Sequence, residues 1–273
     1  MGQFIKYNGQ FIEIPAIETE TAAYIARMTV APTMGLRTLL NTTIKALKDD
    51  ALWDYIDVLR FHNLHTEQAS LLNAKTSAFG DGTNMNELPW EAKKGWQGNQ
   101  YTDNRYIDSG FDPSTLQPTI NYTQDDAFFG GWCTDETLDF GITYSTQWIN
   151  YLSLYTSLNP RSGTGTSSRT RAFTHGSTTT NQNVSWPTVN SLYIATRTSS
   201  TAWKWYKNGV VGDSDSMTSV PIPAGNFLEY GNTTWGFPGH IAQTVYGGGF
   251  DDTKHLALYN ILKYFNESIT QAI

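Results

Sequence analysis

The sequence predicts a mainly β protein: a β-sandwich with an N-terminal β-hairpin and helical lead and a C-terminal helix. Three observations carry this. Short β-type runs succeed one another from Tyr101 to Tyr230, separated by Gly, Asn, Ser and Thr. Among 273 residues there are 9 Trp, 15 Tyr and 13 Phe but only 16% charged residues, a composition suited to strands and turns. No strand alternates with a long helix, which disfavours a parallel α/β sheet.

The elements follow in order. Phe4 to Tyr7 and Gln10 to Ile14 flank Asn8-Gly9, a strong hairpin signal. A lone hairpin is marginal in water, so Phe4, Ile5, Phe11, Ile12 and Ile14 need a partner surface. That surface is either this chain's own body or a neighbour that the hairpin docks on or trimerises with. Thr19 offers an N-cap for a helix through Tyr24, Ile25 and Met28 that Pro32 terminates. Leu36, Leu39, Leu40, Ile44 and Leu47 recur at helical spacing, and Asp49-Asp50 breaks that helix before a short turn at Leu52 and Trp53. A strand at Asp57 to Phe61 and a short helix at Thr66 to Leu72 complete the lead.

Thr76 to Gln100 reads as irregular, with a turn at Gly80-Asp81-Gly82. Between Tyr106 and Phe111 the alternation places Ile107, Ser109 and Phe111 on one face, and Pro113 ends the run. Further strands are expected at Tyr101 to Phe111, Ala127 to Thr134, Leu138 to Thr143, Trp148 to Leu154, Thr170 to His175, Ser191 to Thr198, Ala202 to Lys207, Val220 to Pro223 and Asn226 to Tyr230. Asn208-Gly209 supplies a second hairpin turn. Asn159 to Ser168 and Ser177 to Asn183 read as loops. Asp251 or Asp252 caps a last helix, whose Leu258, Ile261, Leu262, Phe265 and Ile269 form an apolar stripe. The organisation is thus residues 1–18, a hairpin for attachment or oligomerisation; 19–75, a helical lead; and 76–273, the sandwich with its closing helix.

Net charge is −7 and no Lys/Arg cluster is long enough to track phosphates, which argues against nucleic acid. The single cysteine, Cys133, excludes an intrachain disulfide and a multi-Cys metal site. Beside Trp132 it reads as a small core residue, with a reactive thiol as the alternative. Met1 to Lys6 lacks the pattern of a signal peptide, Lys6 stands where a myristoylation site wants Ser or Thr, and no apolar run approaches the ~20 residues that span a bilayer. Neither a membrane insertion nor a secretory route is expected, so the sequons at Asn121, Asn183 and Asn232 carry no weight.

Catalytic constellations are sought and not found. Glycoside hydrolysis needs two carboxylates across a groove, which on a strand means acids at i, i+2 or i+4. Asp135, Glu136 and Asp139 are the nearest cluster, and they read as solvated acids in a turn between strands. There is no Gly-x-Ser-x-Gly elbow, phosphate loop or dinucleotide fingerprint. His62 and His65 lack further ligands at metal spacing, and His175, His240 and His255 are isolated. Trp203, Trp205, Trp235, Tyr230 and Tyr246 are candidate stacking platforms for sugar rings, weighed against packing in the core. The expectation is a protein that is not an enzyme, with no catalytic residue and no assignable glycan-binding or metal-binding residue.

Four stretches carry a resemblance: Thr21 to Thr33; Leu47 to Leu59 with Glu67 to Asn73; Gly95 to Asn99 through Tyr106 to Pro113; and Ala195 to Ser200 through Tyr206 to Gly209. Their order, with the closing helix, resembles tailed-bacteriophage virion proteins that carry a concanavalin A-like (laminin G-like) jelly roll behind a short helical lead, over roughly residues 20–270. The resemblance implies a structural protein of the virion surface, made in the host bacterial cytoplasm. A head-fibre or tail-fibre component with a lectin-like domain for host-surface glycans is the first reading, and a capsid decoration or cement protein the second. A polysaccharide depolymerase using Asp135 or Asp139 is the third. The implied partners are other virion proteins through the N-terminal region, further copies of the chain as a trimer, and host glycans. No cofactor is implied. Calcium is variable in such sandwiches, and no ligands for it follow from this sequence.

Overall fold

The computed structural model describes residues 3–7, 10–14, 16–97, 105–136, 149–151, 157–162, 169–173, 190–216, 218–219, 221–222, 224–230 and 239–273. Strands β1 (Gln3–Tyr7) and β2 (Gln10–Ile14) form an antiparallel sheet of their own, with Ile5 opposite Ile12. Helix α1 (Thr19–Ala26) begins one residue after Glu18, which replaces Thr19 as the N-cap. Glu18 is held there because its N–H donates to Asn41 Oδ1 at 2.7 Å. Helix α2 (Met34–Asp49) is capped by Thr33, whose side chain accepts from the Leu36 N–H. A 3-10 turn (Trp53–Tyr55), strand β3 (Ile56–Phe61) and helix α3 (Glu67–Leu71) follow.

The stretch expected to be irregular holds three short strands, β4 (Thr83–Met85), β5 (Trp90–Glu91) and β6 (Gly95–Gln97). Strand β7 (Tyr106–Asp108) is shorter than the alternation suggests, although Ile107, Ser109 and Phe111 are buried as expected. Next come α4 (Pro113–Leu116), β8 (Ala127–Glu136), β9 (Ile149–Tyr151), β10 (Ser157–Ser162) and β11 (Arg169–Phe173). Residues 159–162, expected in a loop, belong to β10, paired with β11. The chain closes through β12 (Ser191–Arg197), β13 (Ala202–Lys207), β14 (Val210–Ser216), β15 (Phe227–Glu229), β16 (Gly239–Gly247) and α5 (Asp252–Ala272), capped by Asp251. Asn208 and Gly209, with φ of 53° and 76°, turn β13 into β14, as an Asn-Gly hairpin requires. Residues 221–222 carry no strand, contrary to the expected run at Val220 to Pro223. The turn at Asn8-Gly9, the strand at Leu138 to Thr143 and the loop at Ser177 to Asn183 lie outside the described residues.

The larger sheet runs β14-β13-β12-β8-β16-β6-β5, with β3 also paired to β16, and the smaller runs β11-β10-β9-β15-β7-β4. Every pairing between these strands is antiparallel. The middle of the larger sheet, at β12, β8 and β16, is buried on both faces. Along β12, Leu192 and Ile194 enter the core shared with α2 and α5, while Tyr193 and Ala195 enter the core between the sheets. On β8, Phe128 and Trp132 take the helix side and Phe129 and Cys133 the sandwich side, so Cys133 is a buried core residue. Leu36, Leu40, Ile44 and Leu47 of α2 meet Leu258, Leu262, Phe265 and Ile269 of α5 over that sheet. Each such side chain stabilises the fold by roughly 1.5–3 kcal/mol through burial. The result is three layers: helices, larger sheet, smaller sheet.

Candidate functional site

The aromatic candidates are almost all committed to packing. Trp203, Trp205, Tyr230 and Tyr246 are at most 1% exposed and lie in the core between the sheets. Alternation on β13 sends both tryptophans inward and leaves Lys204 on the opposite face. Trp235, Asp139 and His175 lie outside the described residues.

At the centre of the sandwich is a polar cluster that single-residue reading did not assemble. Arg60 on β3 donates from Nη2 to Glu229 Oε1 on β15, and from Nη1 to the carbonyls of Gly80 at 2.7 Å and Ser109 at 2.9 Å. The Tyr246 hydroxyl donates to the same Glu229 oxygen. His62 Nδ1 lies 3.2 Å from the Ser70 carbonyl and Nε2 lies 3.1 Å from Thr244 Oγ1. The Nδ1–H therefore donates to the carbonyl, and Nε2 of the neutral ring accepts from Thr244. Burial lowers the His62 pKa, so its 3.3 Å approach to Glu229 Oε2 is not an ion pair at neutral pH. Burial also opposes ionisation of Glu229, but the Arg60 charge and the surrounding hydrogen bonds override it and hold that carboxyl at about 2. Arg60, Glu229 and His62 are all fully buried, so this cluster joins the two sheets from inside the core.

The remaining sequence candidates lie in ladders, caps and packed positions. Strand β8 extends through Glu136, so Asp135 and Glu136 sit opposite His240 and Gly239 in the ladder and not in a turn. His65 Nε2 lies 2.9 Å from the Val30 carbonyl. His255 is buried against Tyr206, Phe128 and Phe250, and that burial lowers it to about 3. Asp108 accepts from Gly110 N–H and from Asn226, and Asp112 caps α4. Among the described residues no group of three or more His, Cys, Asp and Glu side chains converges as a metal site needs, so no calcium is placed.

Among the described residues two concavities are open. One, of about 420 Å³, lies between α2 and α5 and is lined by Ala46, Leu256, Ala257, Ile261 and Tyr264 among others, with Leu256 45% and Tyr264 54% exposed. The other, of about 300 Å³, is lined by Thr196, Thr198, Thr201, Ala202, Lys204, Ser214 and Ser216, with the backbone of Trp203 as part of its floor. Register explains its shape. Thr196, Lys204 and Ser214 form one row across β12, β13 and β14, and Ala202 pairs with Ser216 in the next. Lys204 Nζ reaches Asp252 Oδ1 at 2.7 Å, and the Tyr206 hydroxyl donates to that same oxygen at 2.6 Å.

No protein-family model matches the chain, and no curated protein matches it. Solved structures do. Domain 4 of AbnA, an extracellular arabinanase of Geobacillus stearothermophilus in complex with arabinotriose, superposes with a TM-score of 0.54 at 16% identity, over 75% of this chain and 98% of that one. A Trypanosoma rangeli sialidase mutant displaying trans-sialidase activity gives 0.54 at 10% identity, over 85% of this chain. Botulinum neurotoxin type C, whose uptake by cells depends on interaction with two ganglioside molecules, gives 0.54 at 11% identity, over 78% of this chain. The chain spans 40% of the sialidase and 52% of the neurotoxin chain. At these identities the likeness is one of fold. The chain is a mainly β, jelly-roll-like sandwich with a C-terminal helix, an architecture it shares with carbohydrate-binding and ganglioside-binding domains.

Proposed function

We propose that this chain is a surface protein of a tailed-bacteriophage virion, a head-fibre or tail-fibre component whose sandwich adheres to host-surface glycans without cleaving them. The likeness to a domain holding arabinotriose supports glycan recognition. The ordered resemblance of four segments supports the virion setting. Binding without catalysis is favoured because the buried carboxylates of the described residues have structural partners. Glu229 is held by Arg60 and Tyr246, and Asp57 accepts from the N–H groups of Asn121 and Tyr122.

In this reading residues 1–18 and 19–75 attach the chain to other virion proteins or to further copies. A fibre role predicts a trimer. Light scattering of the purified chain is expected to give a mass near three chains, and antibodies against it to label intact virions. A strict monomer absent from purified virions would contradict the proposal. The apolar groove between α2 and α5 favours a second reading, a cement protein that binds other virion proteins only.

A further inference from the structure

We infer that the hydroxyl-lined hollow across β12, β13 and β14 is the glycan site, and that it takes an uncharged sugar unit through hydrogen bonds alone. The inference rests on the proposed glycan reading. Its first support is the chemistry of the lining. Thr198, Thr201, Ser214 and Ser216 are exposed, and each hydroxyl both donates and accepts, as a polyol requires. Among the described residues the Thr198 and Thr201 hydroxyls have no hydrogen-bond partner, so there they meet a ligand without breaking a bond.

The second support is the ion pair that the lining residue Lys204 makes with Asp252. Lys204 and Tyr206 both engage Asp252 Oδ1, which fixes the carboxylate while Oδ2 remains at a side chain that is 60% exposed. A fixed carboxylate accepts from adjacent sugar hydroxyls, and the neighbouring ammonium donates to a third. Tyr206 is itself anchored, its ring stacked on buried His255 at 3.7 Å.

Charge selects against acidic sugars. The Lys204 charge is balanced by Asp252, and the chain carries a net charge of −7, so an anionic polysaccharide is repelled overall. Among the described residues the hollow has no aromatic platform, because the Trp203 side chain is buried on the other face. At about 300 Å³ it lies at the small end of ligand sites, the size of one sugar ring with part of the next. A hydrogen-bonded sugar without stacking binds weakly, with Kd on the order of 1 mM. Repetition of the site in an oligomer then supplies avidity.

The test is titration of the isotopically labelled full chain with maltotriose, mannotriose and galactotriose, with 3′-sialyllactose as the charged comparator, followed by amide shifts in NMR. At least one neutral trisaccharide is expected to shift Thr198, Thr201 and Lys204 saturably, and sialyllactose to leave them unmoved. Thr198→Val with Thr201→Val, substitutions that keep shape and remove both hydroxyls, is expected to weaken that binding at least tenfold in a chain whose spectrum elsewhere is unchanged. Asp252→Asn serves as the second variant and is expected to lower affinity independently. Neutral-sugar binding that both variants retain, or that shifts residues elsewhere, overturns the site and leaves the glycan reading intact. Absence of shifts with every neutral sugar overturns the site as assigned. Preference for sialyllactose overturns the ligand class.

Discussion

Replacement of Glu229 by alanine is expected to cost about 3–5 kcal/mol, because it leaves the Arg60 guanidinium buried and without its counter-charge. That is a large share of the 5–15 kcal/mol that typically separates folded from unfolded protein. Arg60 does not relax into solvent, since its other nitrogen stays bonded to the Gly80 and Ser109 carbonyls. Replacing Arg60 and Glu229 together with Met and Leu is expected to recover most of the loss, since neither charge is then stranded. Urea denaturation at pH 7 measures both.

The same carboxyl sets part of the acid sensitivity. Held at about 2 against an ordinary 4.5, Glu229 contributes stability that is fully present above pH 4.5 and is lost as pH falls towards 2. His255, lowered from 6.5 to about 3, and His62, also lowered, begin to erode stability earlier. Below pH 6.5 the unfolded chain takes up protons that the buried rings refuse. Asp57 acts oppositely, since burial raises its pKa despite its hydrogen bonds. Wild type is expected to lose stability in two stages on acidification. The Glu229→Ala variant is expected to lose less stability than wild type between pH 4.5 and 2, where His255 still contributes. A single substitution that costs less than 1 kcal/mol would show that the cluster does not join the sheets.

Gly130→Ala is the second large effect. A Cβ at Gly130 would lie 2.1 Å from the Tyr193 carbonyl oxygen and 2.8 Å from the Ile194 Cα, both backbone atoms of the adjacent strand. Strand β8 is paired on both sides, with β12 and β16, so it cannot move away from one neighbour without disturbing the other. The expected cost is about 3 kcal/mol or more, at the upper end of overpacking penalties. Urea midpoints of the soluble variant provide the check, and a cost under 1 kcal/mol would mean the strands are less closely packed than described.

How far the sequence reveals this fold depends on whether an element has one wet face. Helices α2 and α5 do: the α2 stripe ends within two residues of the helix at each side, and Asp251, one of the two expected caps, starts α5. Strand β16 does not. It is buried from Gly239 to Gly247, and its polar residues are satisfied inside, Gln243 by Asn63 and Asn266 and Thr244 beside His62. The usual alternation is absent, so the strand at the middle of the larger sheet is invisible to periodicity. Strands of two or three residues such as β5 and β6 carry too few positions for any pattern.

The buried centre left a different trace. Arg60 stands in the run Ile56-Asp57-Val58-Leu59-Arg60-Phe61, and Glu229 in Phe227-Leu228-Glu229-Tyr230. Opposite charges embedded in apolar strands announce a buried pair, but a sequence separation of 169 hides which charge meets which. The hollow on β13 was hidden for another reason. Ser and Thr near turns read as turn chemistry, whereas here Ser214, Ser216 and Thr196 are aligned by register across three strands.

The central claim is that this sandwich recognises sugars, and a glycan array probed with the purified chain tests it most directly. Saturable binding to at least one uncharged bacterial surface glycan, abolished by the free sugar, is the predicted result. Silence across the whole array at millimolar-equivalent display density would contradict it and favour the cement reading.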